Sequence, residues 1–282
     1  VGDHNFFCWC NYFYFVDGRK NEMSPKETVL ELRDIQFSYD KSDSFSLSSI
    51  NIKMHSGQIV VILGPNGSGK TTILKIANGR LQPDSGGVYL EGKPLQSFSR
   101  REIGQRIGFV PQAEKISFEY TNLEYVTMGR TPWLNPLERP SEKDIEISRE
   151  AIREVGMGKF MDLPVTKLSG GQSQLILLAR ALAQETEILL LDEATSQLDL
   201  ANKRHFLDIV RNLAAAGKTI FLSTHEPDVA AALADKAVLM KNGQVLIAGP
   251  MESVFTKENL QHIYDTPIEI MQLDGRKVVL WT

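Results

Sequence analysis

The first hydrophobic pattern along this chain is that of a strand. Residues 28–32 read Thr-Val-Leu-Glu-Leu, alternating sides as a strand with one buried face does. Short strands then alternate with turns such as His55-Ser56-Gly57-Gln58, up to a continuously apolar run at residues 59–63. Bounded by Gly57 and Gly64, that run predicts a strand buried on both faces. A glycine-rich turn and a helix over about residues 70–78 complete a strand–loop–helix unit, and further strands are predicted at 87–91 and 107–110.

Between about residues 113 and 182 the period changes. Strand-like runs vanish and helical stretches are predicted at 121–128, 142–155 and 172–183, with Pro132, Pro136 and Pro140 breaking the first from the second. The simplest account is an all-helical lobe inserted into an α/β core. Beyond it, alternation resumes: a strand at 188–191 precedes a helix at 201–216, and a strand at 219–223 precedes one at 227–233. Strands at 237–240 and 245–248 are joined by a hairpin across Asn242-Gly243. Strands separated by helices imply a largely parallel sheet whose ligand edge lies at the strand C-termini.

Residues 1–22 share none of these periods. They are aromatic-rich, end in the polar stretch Asp17-Gly18-Arg19-Lys20-Asn21-Glu22, and are expected to lie outside the fold, with Met23 as the natural start. A membrane-surface anchor is the alternative reading of this segment. No apolar run reaches the roughly 20 residues a membrane helix needs. The nearest, residues 6–16, is interrupted by Asn11 and lacks the basic start and small-residue cleavage site of a signal peptide. The expectation is a soluble protein able to dock on a membrane protein.

Composition narrows this further. A chain of 282 residues, 42% hydrophobic and 23% charged, suits one large α/β domain with an inserted lobe. A formal net charge of -4 gives no bulk electrostatic reason to bind nucleic acid, and no such partner is expected. The two cysteines, Cys8 and Cys10, cannot form a disulfide framework and read as incidental thiols of a reducing compartment.

Candidate chemistry is concentrated in a few segments. Gly64-Pro65-Asn66-Gly67-Ser68-Gly69-Lys70-Thr71, followed by Thr72, satisfies G-x-x-x-x-G-K-[ST] between a buried strand and a helix. Glycines let the backbone curl so that its N–H groups face one anion, and the helix adds its positive N-terminal end. Lys70 can then reach the β- and γ-phosphates of a nucleotide, and the Thr71 hydroxyl can ligate Mg2+. Asp192 and Glu193 follow the apolar strand at 188–191. The first can reach the same Mg2+. The second suits a general base that activates water against the γ-phosphate.

A second helix start follows Leu168-Ser169-Gly170-Gly171-Gln172, where two glycines precede a helical run. One chain thus carries two anion-binding helix ends but a single complete nucleotide site. A two-fold dimer, with each ATP held between one chain's phosphate loop and its partner's Ser-Gly-Gly turn, is the economical solution.

On these motifs, in this order, the chain resembles the ATP-binding subunits of ABC transporters from about residue 28 to the C-terminus. The resemblance implies a P-loop NTPase (RecA-like) core with a mixed, largely parallel sheet, an antiparallel β subdomain and an inserted all-helical subdomain. The ATPase domain is expected over 23–250, with the helical subdomain at about 113–182 and a tail at 251–282 packed on the core. It further implies that Tyr39 stacks on adenine and that Gln112 touches Mg2+ or the attacking water and signals to a permease. Ser169 and Gly171, with Gly170 and Gln172 beside them, would meet the partner's ATP. Asp199 would link the two sites across the dimer, and His225 would hold the γ-phosphate and position Glu193. Ser173, Leu175, Gln197 and Glu226-Pro227 depart from the family's commoner residues, and none removes a catalytic group.

The segment 99–112, with 127–132 and a tail carrying Gly249-Pro250 and Asn259-Leu260, resembles importers of iron–siderophore, haem and cobalamin type. Arg100, Arg101 and Arg106 in that segment read as a solvated helix face. The implied partners are a second copy or a related ATPase subunit, an integral-membrane permease and, indirectly, a substrate-binding protein. The implied location is the cytoplasmic face of the cell membrane. A non-transport ABC ATPase, an exporter subunit and an interaction protein with an inactive site remain as alternatives.

Overall fold

The computed structural model describes residues 27–39, 46–114, 116–273 and 276–281. The expectations about residues 1–22, Met23, Cys8 and Cys10 lie outside the described residues.

Among the described residues, two larger sheets, a two-stranded hairpin and a set of helices make the α/β fold that the sequence predicts. An antiparallel sheet contains β1 (Thr28–Ser38), β2 (Ser46–His55), β4 (Ser85–Leu90) and β5 (Lys93–Pro94), in the order β2-β1-β4-β5. The main sheet contains β3 (Ile59–Leu63), β6 (Ile107–Val110), β7 (Ile188–Asp192), β8 (Thr219–Thr224), β9 (Lys236–Lys241) and β10 (Gln244–Pro250). Its order is β10-β9-β3-β8-β7-β6, parallel except for β10, which pairs antiparallel with β9.

The central strand β3 is buried on both faces, as its unbroken apolar run predicts. Val60 and Ile62 pack with helix α1 (Lys70–Ala77) and with the antiparallel sheet. Ile59, Val61 and Leu63 face the opposite core, with helices α5 (Gly170–Ala183), α6 (Leu200–Ala215) and α7 (Pro227–Leu233). A strand clamped between two cores cannot slip by one residue without exchanging its faces, so the register at its C-terminal end is fixed. Burying each such side chain contributes about 1.5–3 kcal/mol.

Residues 113–182 hold helices α3 (Asn122–Thr127), α4 (Glu142–Glu154) and all of α5 but its last residue, joined by short 3-10 turns. Thr121, Ser141 and Ser169 each open a helix with a capping box, which explains why the lobe is cut into short helices at these positions. Arg130 lies buried at the centre, donating to Asp144 at 2.9 Å, to Glu185 at 2.7 Å and to the Ala183 carbonyl at 2.8 Å.

Helix α2 (Arg100–Arg106) departs from the expected solvated face. Arg100 and Arg101 are exposed and Arg106 is half-buried, but Arg101 donates to the carbonyls of Pro132 and Trp133 at 3.0 and 3.1 Å, and Arg100 to that of Gly79 at 2.5 Å. Arg106 lies 3.7 Å from Glu91. The planar guanidinium, with five donors, finds backbone acceptors that a count of charges does not reveal.

After β10 come helices α8 (Met251–Val254) and α9 (Lys257–Tyr264) and a hairpin of β11 (Ile268–Leu273) with β12 (Arg276–Trp281). Leu260, Ile263, Ile268 and Val279 join the larger core. Among the described residues, no helix is long and apolar enough to cross a membrane.

Candidate active site

Four parallel strands deliver their following residues to one edge of the main sheet. β3 leads into Gly64, β6 into Pro111 and Gln112, β7 ends at Asp192 before Glu193, and β8 leads to His225. The pairings Val110↔Leu191, Asp192↔Ser223 and Leu63↔Thr224 set these strand ends level.

The loop of residues 64–69 wraps over the Lys70 side chain, whose Nζ donates to the carbonyls of Gly64 at 2.9 Å and Pro65 at 3.0 Å. Gly64 has no room for a side chain, since a Cβ there would lie 2.2 Å from the Met240 carbonyl oxygen. Gly69 opens α1 from a left-handed conformation (φ 103) without a side-chain cap, so no cap side chain accepts from the first N–H groups of the helix. The Ser68 hydroxyl is buried without a hydrogen-bond partner. An uncapped helix start, a buried lysine and an unsatisfied hydroxyl at one place are what a phosphate would complete. Over the loop sits the hairpin at Asn242-Gly243, both at positive φ, with the Gly243 N–H donating to the Ser68 carbonyl at 3.1 Å.

Glu193 is the centre of the site. It is 8% exposed, sits in the left-handed region (φ 44), and its N–H donates to Ser223 Oγ at 3.0 Å. Its Oε1 lies 3.1 Å from Lys70 Nζ, while Oε2 accepts from Gln112 Nε2 at 3.0 Å and lies 3.3 Å from His225 Nδ1. A non-glycine residue held in this conformation costs of order 1–3 kcal/mol, and such strain clusters at reacting centres.

Asp192 lies beside it, accepting from the Thr71 hydroxyl at 2.9 Å and the Ser223 hydroxyl at 2.7 Å. Burial pushes its carboxyl above the usual carboxylate range, against these two hydrogen bonds. Thr71 and Asp192 offer hard oxygens next to the phosphate loop, and a cation there would relieve the cost of the buried charge. Among the described residues no group of three or more His, Cys, Asp or Glu gathers as a metal site, so the protein's own donors here are one carboxylate and one hydroxyl. Mg2+, which takes one or two carboxylates and completes its shell with water and phosphate, fits this donor pair.

A cleft of about 260 Å³ in front of these groups is lined by Tyr39, Gly67, Gly69, Lys70, Thr71, Thr72 and Glu193. Tyr39 is exposed at its mouth, with its ring edge-on to Phe37 and its hydroxyl 3.2 Å from Thr72 Oγ1.

Ser169, Gly170, Gly171, Gln172 and Asp199 are not among the residues lining the cleft. Ser169 caps α5, where Gln172 Oε1 accepts from the Ser169 N–H at 3.0 Å. Ser169 and Gly170 are exposed, while Gly171 is buried against Asn202. Asp199 caps α6, accepting from the Asn202 N–H at 2.8 Å. The structure thus brings Gln112, Glu193, His225 and the phosphate loop together and leaves Ser169 and Gly170 exposed away from the cleft, with Gly171 buried behind them.

Two contributors escaped the sequence reading. Ser223 ties Asp192 and Glu193 to β8, and its signal is a polar Ser-Thr pair ending an otherwise apolar strand. Glu226, noted only as a departure, accepts from Thr195 Oγ1 at 3.1 Å and pairs with Lys203, fastening the His225 loop to α6.

The family model described as ABC transporter matches residues 47–196. The chain is 34% identical to the hemin import ATP-binding protein HmuV of Rhodococcus jostii, over 83% of this chain and 80% of that protein. Its fold is similar to that of an inward-facing metal-chelate type ABC transporter, with a TM-score of 0.79 and 30% identity over 90% of this chain and 97% of that one. It is also similar to a bacterial ABC transporter cassette solved as a dimer, with a TM-score of 0.70 and 27% identity over 79% and 98% of the two chains.

Proposed function

We propose, from the premise that this chain belongs to the ABC transporter family, that it is the ATP-hydrolysing subunit of an importer of metal chelates. The family binds ATP and hydrolyses it, and this chain is such an ATPase. The observation that carries the reading is the convergence of Lys70, Gln112 and His225 on the Glu193 carboxylate at the phosphate-loop edge.

In this reading the backbone of residues 64–69 and the α1 N-terminus cradle the phosphates, with Lys70 at the β- and γ-oxygens. Tyr39 stacks on the adenine, worth about 1–3 kcal/mol. Glu193 takes a proton from the attacking water, and His225 and Gln112 hold water and γ-phosphate in line. Thr71 and Asp192, with Gln112 near, would hold Mg2+, which when bound would supply charge neutralisation for the phosphates. The cleft is walled on one side, and the Ser169-Gly170-Gly171-Gln172 turn of a second copy, or of a related ATPase subunit, closes the other, led by its exposed Ser169 and Gly170. Asp199 sits at that seam. The dimeric cassette among the similar structures supports this arrangement.

The helical lobe, over about 113–182, transmits closure to an integral-membrane permease. Supporting this, Glu114, two residues past Gln112, is gripped by both terminal nitrogens of Arg180 on α5, at 3.0 and 2.6 Å. Movement of α5 would therefore pull the Gln112 loop. The metal-chelate cargo, an iron–siderophore, haem or cobalamin, is inferred from the hemin import relative and the metal-chelate type structure. A substrate-binding protein would deliver it, and this subunit would sit at the cytoplasmic face of the membrane.

The test is assembly. Mixed with its permease in lipid nanodiscs, the chain should bind the membrane complex, and delivery of a loaded metal-chelate binding protein should raise its ATPase rate. A chain that hydrolyses ATP without ever binding a polytopic membrane partner would belong to the non-transport class instead.

A further inference from the structure

The peptide plane between His225 and Glu226 is held at both polar ends. On one side the Glu226 N–H donates to Thr224 Oγ1 at 3.0 Å. On the other, the Tyr264 hydroxyl, from the last residue of α9, donates to the His225 carbonyl at 2.8 Å. Fixing this plane fixes the backbone torsion of His225, and with it the direction from which the imidazole approaches Glu193.

The helix that carries Tyr264 is itself tied to the phosphate-loop side of the site. Lys241, the last residue of β9, donates to the His262 carbonyl at 2.8 Å and to Asp265 at 2.6 Å. Its neighbour Met240 presents the carbonyl against which Gly64 is packed. Helix α9 therefore bridges β9, against whose end the phosphate loop packs, and the loop carrying His225. Burial pushes the Tyr264 phenol above its ordinary range, with the Glu193 and Glu226 charges adding, so it stays protonated and remains a donor. Beside it a cleft of about 320 Å³, lined by His225, Asp228, Tyr264 and Trp281 among others, gives the loop space to relax into if the hydroxyl is lost.

We propose that Tyr264 is a positioning residue for ATP hydrolysis, acting through the His225 carbonyl to aim the imidazole at Glu193 and the γ-phosphate. This rests on the role given to His225 above. The C-terminal helix then belongs to the catalytic apparatus rather than being only a cover on the core.

Tyr264→Phe keeps the ring and its packing and removes only the donor. The expected result is a fall in kcat of about 5- to 20-fold, with the KM for ATP unchanged within about twofold, since a small misplacement of an aligned group acts on turnover. Thr224→Val, which removes the other hold on the same peptide, should give the same selective loss and serves if the first variant folds poorly. In a His225→Ala background, followed by single-turnover hydrolysis of radiolabelled ATP, Tyr264→Phe should have no further effect, because the two act as one unit. The proposal is overturned if Tyr264→Phe leaves kcat within about twofold of the parent, if the KM for ATP rises in step with any loss, or if the loss persists in full without His225. Normal turnover by His225→Ala alone would instead remove the role of His225, a separate failure.

Discussion

Lys70 and Glu193 form a buried ion pair, with Nζ 3.1 Å from Oε1 and each side chain less than a tenth exposed. The lysine of the phosphate loop and the carboxylate at the end of β7 thus share one charge balance. An incoming γ-phosphate competes with Glu193 for the Lys70 ammonium, and it frees the carboxylate to accept a proton from water. Buried pairs are poor stabilisers and their breakage by one-sided removal is costly, so this contact is better understood as part of the catalytic cycle than as a support of the fold.

Glu193→Gln keeps the shape and removes the base. Hydrolysis should slow by about 100- to 10,000-fold, the usual weight of a general base. ATP affinity should be retained or raised, because a neutral amide no longer competes for Lys70. Steady-state turnover and equilibrium titration with ATP check both halves, and the variant should accumulate as an ATP-bound dimer on size-exclusion chromatography.

Gly64→Ala tests the close approach of β9 to the phosphate loop. A Cβ placed 2.2 Å from the Met240 carbonyl oxygen must displace backbone on one side or the other. The expected cost is about 1–3 kcal/mol of stability, the range for overpacking in a dense interior, accompanied by weakened ATP binding. Thermal melts with and without nucleotide measure both.

Much of this site was legible because its chemistry is written in contiguous residues. The eight residues from Gly64 to Thr71 carry their own loop, helix start and lysine, and the unbroken apolar run before them predicts the buried strand that holds them. Glu193 was legible for the same reason, lying directly after an apolar strand. What sequence could not convey is contact across the sheet. Ser223 grips Asp192 and Glu193 only because β8 pairs with β7 in a particular register. Tyr264 reaches His225 from a helix packed 39 positions later in the chain. Arg100 and Arg101 of α2 illustrate the same limit: their spacing describes an exposed face, and their carbonyl partners, Gly79, Pro132 and Trp133, lie outside the helix.

The helical lobe contributes a pH-dependent term. The Ser141 hydroxyl, then its N–H and the Arg130 guanidinium, hold the buried Asp144 carboxyl down at about 2, against an ordinary value of 3.8. A carboxyl depressed in the folded state contributes stability that is fully present above about pH 4 and is lost as pH falls towards 2. At about 1.4 kcal/mol per unit, this amounts to at most about 2.5 kcal/mol, most of it lost by pH 2. Urea unfolding of the parent and of Asp144→Asn should therefore differ most at pH 5, and the gap should shrink by about that amount at pH 2.

The shared nucleotide site is tested most directly by pairing two inactive variants. Ser169→Arg blocks the turn that faces the partner's ATP and leaves the chain's own phosphate loop intact, whereas Lys70→Ala removes nucleotide binding and leaves the turn intact. Each alone should be inactive. Mixed in equal amounts, they should recover turnover, up to about a quarter of the parent rate for random two-fold pairing, since half the dimers then hold one complete site. Full activity of Ser169→Arg alone, or no recovery on mixing when heterodimers are demonstrably present, would contradict the account.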